Sequence, residues 1–288
     1  MDLKTKYFGL GILGGFAIVI IIFLLLFILP ATGLLGTTTV AVIPVYGEIA
    51  YGSNDTASVI TPDAFENALT QAENNPSVGA IVIDINSPGG STVASDEMMK
   101  MVKNCSKPTV AWIGESGTSG AYLLASGADR IVASNSSLVG NIGTIITLTD
   151  MSNYNNKTGI KTYSIKSGEY KDIGANYKSI NSNESKMLQT IVDNDADRFK
   201  SNVAANRNMS KSEVDKVADG SIYDGQQAKD NKLVDNVGSR KDAIELAVKL
   251  GGLPSTYDTE TYSTDNTFYL GLTSQTNIIN TLNRLIFK

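Results

Sequence analysis

Residues 7–30, YFGLGILGGFAIVIIIFLLLFILP, contain no charge, and this run constrains the topology more than any other feature. As a helix, its uncharged stretch 8–29 spans about 33 Å, enough to cross a bilayer. A cleavable signal peptide carries a shorter apolar region of roughly 7–15 residues, so the run reads as an uncleaved signal anchor. Lys4 and Lys6 precede it, and the next basic residue is Lys100. The positive-inside bias therefore predicts a cytoplasmic N-terminus and an extracytoplasmic domain. The LPATG at 29–33 imitates a cell-wall sorting signal but follows an N-terminal span, and it reads as linker. Residues 31–36 stretch to at most about 20 Å, which keeps the domain close to the membrane surface.

The rest of the chain is large enough for a proper core: 288 residues, 42% hydrophobic and 18% charged. A net charge of -5 leaves no basic surplus to neutralise phosphates, so no nucleic-acid partner is expected. With one cysteine and no histidine, an internal disulfide is excluded and the usual zinc and haem ligand sets cannot be assembled. No metal and no cofactor are expected. Cys105 has no neighbouring base in sequence and reads as structural.

From Thr37 onwards strand-like and helix-like stretches alternate, as in an α/β domain. The pattern predicts strands at 38–49, 78–85 and 109–114 and helices at 61–75 and 92–104, the first helix capped by Thr61 with a proline following. The second half predicts helices at 183–207, 210–218, 224–233 and 238–250. Residues 255–275 read as loop or edge structure, and 277–288 as an amphipathic helix.

Two turns carry possible chemistry. In INSPGGS (85–91) a Gly-Gly pair after a buried strand can turn backbone N–H groups outward to bind an anion, such as the oxyanion of a tetrahedral intermediate. In GTSGAYLLASGADRI (117–131), Ser119 stands between a strand and a helix. It is either an N-cap or a nucleophile favoured by the helix dipole, with the Gly120 N–H free beside it; Ser116 is the competing nucleophile. A serine needs a base, and without histidine the remaining bases are carboxylates and a neutral lysine. Lys171 lies in YSIKSGEYKDIG (163–174), which reads as extended, so Asp172 should face the opposite side and need not keep Lys171 charged. Those residues alone do not select Lys171 over Lys166.

Taken together, INSPGG, SGTSGAYLLASGADRIVA, SGEYKDIG and ADGSIYDGQQAKDNKLVDNVG resemble the signal peptide peptidase A family, membrane-anchored serine peptidases with a Ser/Lys dyad. The resemblance implies an α/β ClpP/crotonase-like domain of repeated ββα units, preceded by one N-terminal transmembrane helix. It divides the chain into cytoplasmic tip and anchor (1–30), linker (31–37), peptidase domain (38–250) and a C-terminal extension (251–288) that could serve as an oligomer contact. It also implies that Ser119 is the nucleophile, Lys171 the general base, and Gly90, Gly120 and Gly89 the oxyanion hole. Where the family usually has a serine that positions the lysine, this chain has Asn141, whose amide oxygen can accept the same hydrogen bond.

The implied activity is hydrolysis of remnant signal peptides or other hydrophobic membrane-associated peptides. The implied assembly is a homo-oligomer whose serine and lysine come from neighbouring subunits. Alternatives are a membrane-bound Clp-class protease cutting a specific membrane protein, an acyl-CoA-handling crotonase enzyme, and a non-catalytic oligomeric scaffold. An extracytoplasmic position argues against the crotonase reading, since CoA is cytoplasmic.

Overall fold

The computed structural model describes residues 37–52 and 59–264, with short helical pieces at 19–20 and 22–24. The expected span at 8–29 lies largely, and the stretch 277–288 wholly, outside the described residues. Among the described residues no helix is long and apolar enough to cross a membrane.

The first half of the chain forms β1 (Thr39–Tyr46), β2 (Glu48–Ile49), β3 (Val59–Ile60), α1 (Pro62–Asn74), β4 (Val78–Ser87), α2 (Thr92–Lys103), β5 (Thr109–Thr118), α3 (Gly120–Ser126), β6 (Arg130–Ala133) and β7 (Leu138–Gly140). The second half forms α4 (Ser152–Thr158), α5 (Ser182–Asn206), α6 (Lys211–Asp215), β8 (Ile222–Tyr223), α7 (Gly225–Asp230), β9 (Asn236–Val237), α8 (Arg240–Leu250) and β10 (Asp258–Thr261). The main sheet runs β10-β1-β4-β5-β6-β9 with all these neighbours parallel. Strands covered on both faces favour apolar residues, which explains the run at 78–85, where the one charged residue, Asp84, is paired with Arg240 at 2.7 Å.

The pleat divides that run between two cores. Ile81, Ile83 and Ile85 join the larger cluster, with Phe65 of α1, Met98 of α2 and Leu124 of α3. Ala80 and Val82 face the other way, onto Ala243, Ile244 and Ala247 of α8. Each such side chain, fully buried, contributes about 1.5–3 kcal/mol if it is as large as valine or leucine. Cys105 packs at the margin of the larger cluster, and burial pushes its thiol up.

Strand β5 is longer than the sequence pattern predicts because it changes partner. It pairs with β6 at 110–113 and then with β7 at 116–118, and the turn into α3 follows at once. Helix α3 is held from behind by Tyr122, which is fully buried and donates its hydroxyl to the Leu233 carbonyl at 2.9 Å. Tyr122→Phe leaves that carbonyl without its donor and should cost about 1–3 kcal/mol. Urea unfolding checks this, with an unchanged midpoint counting against the anchoring role.

The second half departs further from the pattern. Helices α6 and α7 are short, each closed by a capping box, Ser210 with Glu213 and Asp224 with Gln227. The 163–174 stretch is not an extended strand: residues 160–166 are irregular and 167–174 form turns closed by Lys171 N–H to Gly168, Ile173 N–H to Tyr170 and Ala175 N–H to Asp172. Gly174, at φ 78°, lies at the end of those turns. From the 255–275 stretch, β10 joins the edge of the sheet beside β1.

Candidate active site

The loop after β4 is clamped from both sides. Ile49 donates its N–H to the Gly89 carbonyl at 2.9 Å and accepts the Ser91 N–H at 2.7 Å. Glycine is required between them: Gly90 has φ 151°, and a β-carbon there would lie 2.1 Å from the Ile49 oxygen. A β-carbon on Gly89 would lie 2.6 Å from the Gly120 nitrogen. The Gly89 N–H donates to Ser87 Oγ at 3.1 Å, so Gly89 supplies shape and not a free donor. The Gly90 N–H has no acceptor among the described residues, and the Gly120 N–H, first in α3, has no intrahelical one. These two groups are close, since a β-carbon on Gly120 would lie 3.3 Å from the Gly90 nitrogen.

Ser119 occupies the N-cap position of α3, yet its side chain caps nothing. Its backbone stands at φ 52°, ψ -127°, a region serine rarely adopts and one that costs on the order of 1–3 kcal/mol. β7 helps hold it there: the Ser119 N–H donates to the Gly140 carbonyl at 2.8 Å. The hydroxyl is thus left unspent at a helix N-terminus, which favours developing negative charge. Ser116, one turn of strand earlier, is paired instead with Thr118 Oγ1 at 3.2 Å.

Asn141 follows directly on β7 and shares the unusual backbone, with φ 51°. Its N–H binds the Ser221 carbonyl at 2.7 Å and its Nδ2 binds the Gly220 carbonyl at 2.8 Å. Oδ1 has no donor among the described residues, and is therefore open to one.

Ser119, Gly90 and Asn141 line one cavity of about 540 Å³, walled further by residues 142–145 and 218–220 and by Lys200 of α5. Lys200 donates to Asp215 at 3.3 Å, while hydrogen bonding from Ser221 holds the Asp219 carboxyl below its ordinary range. Lys171 does not line this cavity. It sits on the 168–174 turn, and among the described residues its Nζ has no hydrogen-bond or ion-pair partner. Lys166 and Lys178 are both engaged by Asp172, at 2.6 and 3.0 Å, and these two lysines hold the Asp172 carboxyl well below the usual carboxylate range.

Sequence reasoning missed three contributors. Ile49 sets the Gly-Gly loop through backbone bonds, which no side-chain pattern announces. Ser95 is fully buried, with an unpartnered hydroxyl 2.2 Å from where a Gly120 β-carbon would stand. Lys200 stands in the polar helical stretch of α5, where nothing in the local pattern sets it apart. The positive φ of Ser119 was signalled only by the small residues around it.

A strained serine at a strand-to-helix turn, with unclaimed backbone donors at its side on a parallel α/β scaffold, is an arrangement that suits serine-hydrolase chemistry. Residues 102–253 match Peptidase family S49, and residues 53–143 match the Clp protease family. The chain belongs to Peptidase family S49, in agreement with its resemblance to signal peptide peptidase A; it is a serine peptidase with a ClpP-like α/β fold. A Methanocaldococcus jannaschii protein provisionally named as a protease is 34% identical over 209 residues, covering 72% of this chain and 67% of its own. An Enterococcus faecium protein provisionally named signal peptide peptidase SppA is 34% identical over 190 residues, covering 64% of this chain and 55% of its own. Among solved structures, a 1510-N membrane-bound stomatin-specific protease variant in complex with a substrate peptide matches with a TM-score of 0.52. At 14% identity, over 83% of this chain and 98% of that one, it bears on the fold alone.

Proposed function

We propose that the chain is a membrane-anchored endopeptidase that hydrolyses remnant signal peptides or other hydrophobic membrane-associated peptides with a Ser119/Lys171 dyad. The observation that carries the proposal is the uncapped, strained Ser119 beside the unclaimed N–H groups of Gly90 and Gly120. Neutral Lys171 takes the Ser119 proton, the alkoxide attacks the peptide carbonyl, and the two N–H groups hold the oxyanion. Lys171 then returns the proton to the leaving amine, and water hydrolyses the acyl-enzyme.

The lysine reaches the serine from a neighbouring subunit of a homo-oligomer. Two observations support this: Lys171 is absent from the Ser119 cavity, and the arm that carries it exposes apolar side chains, Ile145 at 79%, Tyr163 at 83% and Ile165 fully. Large apolar surface of this kind favours association. Asn141 Oδ1 then accepts from the arriving Nζ. The uncharged run at 8–29 supports the anchor, with the N-terminus cytoplasmic and the peptidase domain outside.

The test is cleavage of a synthetic signal peptide by the full-length chain in detergent, measured against pH. A base that takes the serine proton must itself be unprotonated, so kcat/KM should climb between about pH 6 and about pH 10. A flat profile over that range would exclude a lysine base, and no cleavage of any hydrophobic peptide would favour the scaffold reading.

A further inference from the structure

Between Gly143 and Asn181 the chain forms one short helix, α4, with no buried residue, yet this segment carries Lys171. Backbone turns alone leave such an arm poorly fixed, because each i to i+3 bond is local. The side chain that ties the turn together is Asp172. Its Oδ1 accepts from Lys166 at 2.6 Å and from Lys178 at 3.0 Å, and its Oδ2 accepts from Tyr177 at 3.1 Å. The Asp172 side chain is only 11% exposed.

Each partner reaches further. Lys166 also donates to the Glu169 carbonyl at 2.8 Å, so one ammonium grips the chain on both sides of Lys171. Lys178 also donates to Glu184 at 2.6 Å. Glu184 is buried and closes the capping box of α5 by accepting the Asn181 N–H at 3.0 Å. The turn is thereby fastened through Lys178 to the first turn of the longest helix described. Asp172 occupies both nearby lysines and leaves Lys171 as the unengaged amine.

We infer that Asp172 is a positioning residue for Lys171, fixing the turn to α5 and holding the two competing lysines away from the role of base. The inference rests on the Ser119/Lys171 reading above. It explains why a carboxylate can stand next to the general base without pairing with it.

The experiment compares Asp172→Asn, Asp172→Glu, Tyr177→Phe and Lys171→Ala in the full-length chain, with steady-state peptide hydrolysis, thermal melting and assembly size. Asp172→Asn should lower kcat by roughly tenfold to a hundredfold through misplacement of the amine, with KM unchanged because the Ser119 cavity is untouched. Asp172→Glu, which keeps the charge, should recover most of the loss. An unchanged kcat in Asp172→Asn overturns the inference, as does a loss that glutamate fails to recover. If Asp172→Asn does not fold or assemble, Tyr177→Phe carries the test: a several-fold lower kcat at constant KM supports it, and an unchanged kcat overturns it. A Lys171→Ala enzyme as active as the unmodified chain would instead sink the dyad itself, an outcome separate from those of Asp172.

Discussion

Ser119→Ala should lower kcat for peptide hydrolysis by a factor on the order of 10⁴ to 10⁶, the loss typical of removing the nucleophile from a serine peptidase. Stability should stay within about 0.5 kcal/mol of the unmodified chain, because the hydroxyl makes no cap bond and alanine keeps the same β-carbon. The pairing of those two results is what makes the variant informative. An N-cap serine would show the reverse: normal turnover and a helix destabilised by about 1 kcal/mol. Hydrolysis within tenfold of normal would transfer the role to Ser116 or remove serine chemistry altogether.

Lys171→Ala should be equally inactive alone, and the stronger result is expected from mixing. If serine and lysine meet across a subunit boundary, a Ser119→Ala subunit still donates a lysine and a Lys171→Ala subunit still donates a serine. Random co-assembly at equal ratio then rebuilds roughly one site in four, since head-to-tail contacts pair each subunit with one neighbour on each side. Recovery to about a quarter of normal activity is the expected outcome. No recovery from co-assembled subunits would mean that the dyad closes within one chain or uses another lysine. Lys200 is then the residue to examine, since it already lines the Ser119 cavity.

Much of the scaffold was legible in the linear pattern because it depends on neighbours in sequence. The run at 78–85 is mostly apolar, as suits a strand covered on both faces, and β4 spans it; its one charged residue, Asp84, is buried and paired with Arg240. Thr61 followed by proline marks the start of α1 and accepts the Ala64 N–H as a cap should. The 163–174 stretch misled because alternating residue types mimic a strand, while Gly168, Gly174 and the Asp172 ion pairs fold it into turns. Ser119 was ambiguous for a different reason: cap and nucleophile require the same residue at the same place, and only the folded chain shows that its side chain makes no cap bond.

The sequence by itself determined the alternation of strand and helix, the order of the Gly-Gly loop, serine turn and lysine segment, and the absence of any histidine to serve as base. Local composition suffices for these, since hydrophobic periodicity, Gly-Gly pairs and residue counts are properties of the chain. Tertiary structure decided the remainder. It clamped the Gly-Gly loop through an isoleucine some forty residues upstream, leaving the Gly90 N–H without an acceptor among the described residues while Ser87 Oγ takes the Gly89 N–H. It turned Ser119 to a positive φ by tying it to β7, engaged Lys166 and Lys178 but not Lys171, and kept Lys171 out of the cavity that holds Ser119. Each of these depends on which distant groups claim a given donor or acceptor, and that competition exists only once the chain is folded.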